Sequence, residues 1–188
     1  MIPISYPAMV AVVTLLTLLN RILTYRKTKQ ISWKRELQLI LVYICIVVIV
    51  RFTFCPFGKV DGKIQPLIFY PDNGFPFRIN WIPFVNLLDY PEKRDILLNL
   101  IGNTAMFIPV GIVWPIVYKE LDKHWKVIAA GAGFSLCIEI LQLPFYDRVS
   151  DIDDLILNSV GFLTGYGIFL LIKSVKKSRS SDRDFCYS

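Results

Sequence analysis

The chain reads as an all-α, polytopic transmembrane helix bundle of about five spans, N-out and C-in, and three observations predict it. Hydrophobic residues make up 54% of the sequence against 19% charged, with a mean hydropathy of +0.50. That balance is too apolar for a water-soluble chain of this length. Apolar runs approaching the roughly 20 residues needed to cross a hydrocarbon core of about 30 Å recur five times. Between them the lysines and arginines gather in alternate connections, as they do on the cytoplasmic side of a membrane.

Span one runs from about Ile4 to Leu19 and ends at Asn20 and Arg21. No basic residue precedes it, and Arg21, Arg26, Lys27 and Lys29 follow. A cleavable signal peptide has the reverse order, so this run reads as an N-out anchor. Span two covers about Leu37 to Phe54, with Arg51 in its last turn. Residues 55–96 then form a long connection rich in aromatic residues, proline and glycine, as in Phe69-Tyr70-Pro71-Asp72-Asn73-Gly74-Phe75-Pro76-Phe77. Proline disfavours regular helix there, and aromatic rings favour the membrane–water interface. The segment is either an interfacial loop on the outer side or a lid over an outward-facing pocket.

Span three runs from about Leu97 to Tyr118 and contains Pro109 and Pro115. Span four, about Val127 to Tyr146, opens on Ala129, Ala130, Gly131, Ala132 and Gly133. Span five, about Leu155 to Ile172, carries Gly161 and Gly165, a G-x-x-x-G spacing that fits close helix packing. Residues 173–188 form a basic, serine-containing tail that reads as cytoplasmic and disordered. The organisation is thus a two-span region (1–54), an outer loop (55–96), a three-span core (97–172) and the tail.

A net charge of +6 raises the question of nucleic acid, but the basic residues alternate with spans and form no base-reading motif. They read as topology determinants and contacts to anionic membrane lipids. Cysteines 45, 55, 137 and 186 show no paired metal-ligand spacing, and His124 is the only histidine. No zinc site, other metal site or cofactor is expected.

Polar residues inside the spans carry the functional signal. Asn99 and Asn103 lie one turn apart near the outer end of span three. Glu139 and Gln142 share a face of span four, and Asp151, Asp154 and Asn158 follow an i, i+3, i+7 pattern at the start of span five. Arg148 stands at the same level, and Glu139 is expected about two turns below the outer end of its helix. A charged side chain at membrane depth costs roughly 3 kcal/mol on insertion scales, so it normally faces a cavity or a partner. Taken singly, each residue has a structural reading: interhelical hydrogen bonds for the amides, a helix cap for Asp151, a turn-fixing ion pair for Arg148. Taken together, so many polar groups at one depth point to a ligand-binding or catalytic site.

Asn80-Trp81-Ile82-Pro83-Phe84 precedes span three, and Asn99-Leu100-Ile101-Gly102-Asn103 with Phe107-Ile108-Pro109 lies within it. Glu139-Ile140-Leu141-Gln142 follows in span four, then Arg148, Asp151-Ile152-Asp153-Asp154-Leu155-Ile156-Leu157-Asn158 and Gly161. In this order, over about residues 79–167, the chain resembles the VanZ-like family of bacterial membrane proteins. The resemblance implies an association with resistance to teicoplanin, a glycopeptide that binds cell-wall precursors. It brings Asn80 into the ligand-binding set with Asn99, Asn103, Glu139, Gln142, Arg148, Asp151, Asp154 and Asn158. Two functions are open. One is a non-enzymatic protein that binds a glycopeptide or lipid-linked wall precursor. The other is an intramembrane enzyme acting on a lipid-linked phosphate, with Glu139 and Asp154 as acid/base groups or divalent-cation ligands and Arg148 as anion receptor.

Overall fold

Five helices, joined by short extended segments, make up the computed structural model, which describes residues 2–55, 59–60, 63–64, 66–70, 78–85, 93–146 and 148–186. In chain order they are β1 (Ile2–Ile4), α1 (Tyr6–Thr28), α2 (Trp33–Phe54), β2 (Lys59–Val60), β3 (Lys63–Ile64), β4 (Leu67–Phe69), β5 (Ile79–Asn80), α3 (Lys93–Val117), α4 (His124–Gln142), β6 (Ser150–Asp151) and α5 (Ile152–Cys186). All five helices are long and apolar enough to cross a membrane, and the protein is an integral membrane protein.

The helices outrun the apolar runs wherever the flank is polar but helix-compatible. α1 passes through Arg21 to Thr28, where Lys29 closes it in a left-handed conformation (φ 50°). α5 likewise passes Ile172, so the backbone of the basic tail that composition reads as disordered is helical as far as Cys186. α4 is shorter than its apolar run. It stops at Gln142 because Pro144 cannot continue the ladder and crowds the residue before it. Glu139 therefore lies in the last turn of α4 rather than two turns below its end.

Contacts between helix ends fix the alternation. At one end Arg35, near the start of α2, donates to the carbonyl of Val117 at the end of α3. At the other, Gln142 closes α4 by donating from Nε2 to the carbonyl of Thr53 near the end of α2 (2.9 Å). The first end collects Arg21, Arg26, Lys27, Lys29, Lys34, Arg35 and Lys126 and is called the basic end below; the second, with Glu139, Gln142 and Asp151, is the cluster end. Trp33 and Trp125 are 85% and 63% exposed at the basic end, and Trp81 is 72% exposed at the cluster end. Such rings suit the two membrane–water interfaces.

α3 and α5 approach most closely, as the G-x-x-x-G spacing predicted. A Cβ built on Gly161 would sit 2.0 Å from the carbonyl oxygen of Thr104, and one on Gly165 would sit 2.0 Å from that of Ile108. Gly111 of α3 is the reciprocal case: a Cβ built there would sit 2.0 Å from the carbonyl oxygen of Phe162. At each point the glycine C–H bond aims at a carbonyl oxygen of the facing helix, a weak favourable contact that any side chain would abolish. Phe107, Val110, Phe162 and Val127 fill the space around this crossing, with Trp114 against Phe134 and Phe162. α1 is different: it runs beside α2 and buries none of its residues.

Short strands tie the cluster end together. β1 pairs antiparallel with β4, matching Ile2 to Phe69 and Ile4 to Leu67. The backbone then joins the α4–α5 connection: Tyr70 donates to the Pro144 carbonyl (2.9 Å) and Tyr146 to that of Ile68 (3.0 Å). Leu67 is driven into the core, and Phe145 meets Phe54 and Phe69 edge to face. Among the described residues of the 55–96 segment, these and residues 78–80 are thus hydrogen-bonded to the bundle. The stretch 71–77, central to the aromatic loop, lies outside the described residues.

Candidate functional site

The site starts from the two short segments that precede α3 and α5. β5 and β6 pair in parallel, matching Ile79 to Ser150 and Asn80 to Asp151. The Arg78 carbonyl extends the pairing by accepting from the Ser150 amide (3.0 Å). Asp151 then ends the strand and begins the helix: its Oδ1 accepts from the Asp153 amide two residues on (2.9 Å) and caps α5. The same oxygen accepts from Asn80 Nδ2 (3.1 Å), while Asn80 Oδ1 accepts from the Ile82 amide (3.2 Å) and turns the chain toward Pro83. Phe84 carries a positive φ of 65°, a costly conformation for an aromatic residue, and its amide donates to Asp153 Oδ1 (2.7 Å). The Asn80-to-Phe84 motif and the Asp151-to-Asp154 motif are therefore two halves of one clip.

α4 and α3 supply the walls. Glu139 is buried in the last turn of α4 and accepts the Asp151 amide at Oε2 (2.9 Å), so it supports the same helix start from beneath. On the α3 side Asn103 donates to Asn99 Oδ1 (3.2 Å) and to Asp154 Oδ1, joining three of the sequence-selected residues in one chain. One turn deeper, Asn158 donates to Ser135 Oγ (3.1 Å) between α5 and α4, with both residues at most 1% exposed. Arg148 stands near the end of α2. Burial pushes the Cys55 thiol up from its ordinary range, while the guanidinium groups of Arg51 and Arg148 oppose that rise. Arg51 also donates to the Cys55 carbonyl (3.3 Å).

Most of the selected residues are thus brought together around the start of α5: Asn80, Asn99, Asn103, Glu139, Asp151, Asp154 and Asn158. Gln142 and Arg148 sit to the α2 side of it. The i, i+3, i+7 row does not act as one face, because Asp151, Asp154 and Asn158 each meet a different element. Two participants were not selected. Asp153 holds a backbone amide, which no side-chain pattern reveals, and Ser135 is a lone hydroxyl in an apolar run. Among the described residues, three buried oxygens here have no hydrogen-bond donor: Gln142 Oε1, Asp153 Oδ2 and Asn158 Oδ1. Among the described residues no three His, Cys, Asp or Glu side chains are grouped so as to hold a metal ion.

Fold and site together define a multi-helix membrane protein whose polar cluster is built where the 78–85 segment and the start of α5 are clipped together beside the end of α4 and Asn103 of α3. The VanZ/LLP1 family profile matches residues 37–173, most of the chain, and the protein belongs to that family. The match begins earlier than the sequence motifs alone indicated and takes in α2. Protein VanZ of Enterococcus faecium is 29% identical over 121 residues, covering 64% of this chain and 70% of that protein. No solved structure matches.

Proposed function

We propose that the protein is a multi-pass cell-membrane protein whose cluster end faces outward and binds a teicoplanin-type glycopeptide or a lipid-linked wall precursor without chemical turnover, lowering the drug's access to its target. The observation that supports this reading is the gathering of amide and carboxyl side chains, Asn80, Asn103, Glu139, Asp151 and Asp154, at the end of the bundle that also carries the exposed Trp81. Such groups offer N–H donors and acceptor oxygens, which the peptide and sugar moieties of a glycopeptide or precursor can meet. The metal-dependent enzyme reading rests on the same carboxylates, of which one oxygen of Glu139 accepts the Asp151 amide and one of Asp154 accepts from Asn103.

The test is a deletion strain complemented with wild type, Glu139→Gln or Asp154→Asn at matched membrane levels. Each amide retains an acceptor oxygen for the Asp151 amide or for Asn103, so the fold is preserved. Losing one hydrogen bond to a charged group costs about 1.5–3 kcal/mol, about a ten- to hundredfold loss of affinity. Wild type is expected to raise the inhibitory teicoplanin concentration, and both variants to lose most of that gain. Identical susceptibility with and without the protein would sink the proposal.

The outward placement has its own check. Trp81→Cys should react with a membrane-impermeant maleimide in intact cells, and Lys27→Cys only after permeabilisation. Cys137, which is exposed, and Cys186 are replaced by serine in both variants, and native Cys45 and Cys55 are buried, so they add little background. The opposite labelling pattern would turn the site to the cytoplasm and remove it from the drug.

A further inference from the structure

At the basic end, away from the cluster, α1 and α2 part to leave an open cleft of about 590 Å³. One wall is a polar stripe on a helix that is otherwise apolar. Thr17, Asn20, Arg21, Thr24 and Thr28 follow helical spacing and all line the cleft. The stripe spans about 16 Å along α1, at 1.5 Å per residue; Thr17 falls within the apolar run that ends at Leu19, and the other four residues follow it. Thr17 and Thr24 turn their hydroxyls back onto their own helix carbonyls (both 2.8 Å), as hydroxyls do in an apolar setting. The upper part of the opposite wall is apolar, with Leu39, Val42 and Ile46 of α2 facing Leu16.

We infer that this cleft is a binding site for an anionic phospholipid, with the headgroup phosphate at Arg21 and the start of α2 and an acyl chain along Leu39, Val42 and Ile46. The charge fits. Arg21 gives two of its five N–H donors to Glu36, through Nε (3.0 Å) and Nη2, which leaves donors for a phosphate oxygen. Ser32 lines the same cleft at the cap position of α2, where its hydroxyl makes no capping bond and the free amides of the helix start favour an anion. Arg35 anchors the floor by its bond to Val117 and its place over the Tyr118 ring. Arg26, Lys27, Lys29 and Lys34 adjoin the lining residues Thr24, Thr28 and Arg35 in sequence and add positive charge at this end. The shape fits as well: one end is polar and charged, the other apolar and open toward lipid. A lipid in this seat would add to the contacts that hold α1 beside α2, the Arg21–Glu36 pair and the Thr14–Tyr43 hydrogen bond (2.8 Å). The α1 wall lies before residue 37, where the family match begins, whereas Leu39, Val42 and Ile46 lie within it.

The experiment measures thermal unfolding of the delipidated full chain in detergent micelles with added phosphatidylglycerol, phosphatidylcholine or glycerol 3-phosphate. Phosphatidylglycerol is expected to raise the midpoint by about 4 °C more than phosphatidylcholine. That difference should fall at least by half in Thr24→Leu, which fills the cleft, and in the doubly neutralised Arg21→Gln/Glu36→Gln, which leaves no orphaned charge. It should persist in Lys27→Gln/Lys29→Gln, which removes charge from the mouth alone. An undiminished shift in Thr24→Leu, or an equal loss in the lysine pair, would show diffuse surface attraction and overturn the site. A full shift from glycerol 3-phosphate alone would overturn the lipid in favour of a soluble phosphate. The midpoints in phosphatidylcholine show whether any variant is merely unfolded.

Discussion

Gly161→Ala and Gly165→Ala should each lower the unfolding midpoint on the order of 6–12 °C and reduce the amount of protein in the membrane, while Gly133→Ala should change neither. A Cβ at the first two positions meets a backbone carbonyl at 2.0 Å, and at Gly133 it meets nothing within 4 Å. Overpacking commonly costs about 1–3 kcal/mol, and the upper figure applies here because no side chain can rotate away. About 3 kcal/mol in a chain of this size corresponds to the stated shift. The helices would have to separate along their whole crossing, which loosens Phe107 and Phe162 together. Equal midpoints for all three alanine variants would mean that α3 and α5 are not in contact as described.

The second large effect is expected at Asp151. Alanine there removes the cap of α5, worth about 1 kcal/mol, and the bond from Asn80, worth about 1.5–3 kcal/mol if the carboxyl is charged. Asp151→Ala should therefore cost about 2–4 kcal/mol and expose the 78–85 segment, which trypsin would report as faster cleavage after Arg78. Asn80→Ala should cost less, and the double variant should cost less than the sum of the two, because both delete one shared bond. Additive losses would show that the two residues act separately and that the clip does not exist as a unit.

Much of this was legible in the sequence and some was not, for identifiable reasons. Hydrophobic runs locate helices because hydrocarbon accepts apolar side chains and penalises charged ones, and all five spans lie where the apolar residues do. Their ends were missed where helix geometry continues through residues that reach for the interface, as at Arg21 and in the tail, or where Pro144 stops a run that is still apolar. Three-residue strands such as Ile2–Ile4 have no period to detect, and their partners lie far along the chain. Within the site, the amides and carboxyls were identifiable as polar groups at membrane depth. Their pairing was not, because it depends on backbone donors at Asp151, Asp153 and Phe84, which every sequence possesses and none displays. Of the two carboxyls that suggested acid/base chemistry, Glu139 accepts the backbone amide of Asp151 and Asp154 the side-chain amide of Asn103.

The clip between Asn80 and Asp151 joins residues 71 positions apart, with two complete helices between them. Closing so long a loop cannot precede the crossing of α3 and α4, and it also requires the first turn of α5. The polar cluster is therefore a product of late assembly: during synthesis Asn80, Asn103 and Glu139 are all made before the segment that unites them has left the ribosome. A chain truncated before Asp151 would carry nearly every wall of the site and none of its closure. The polar cluster exists as a unit only once the start of α5 is in place.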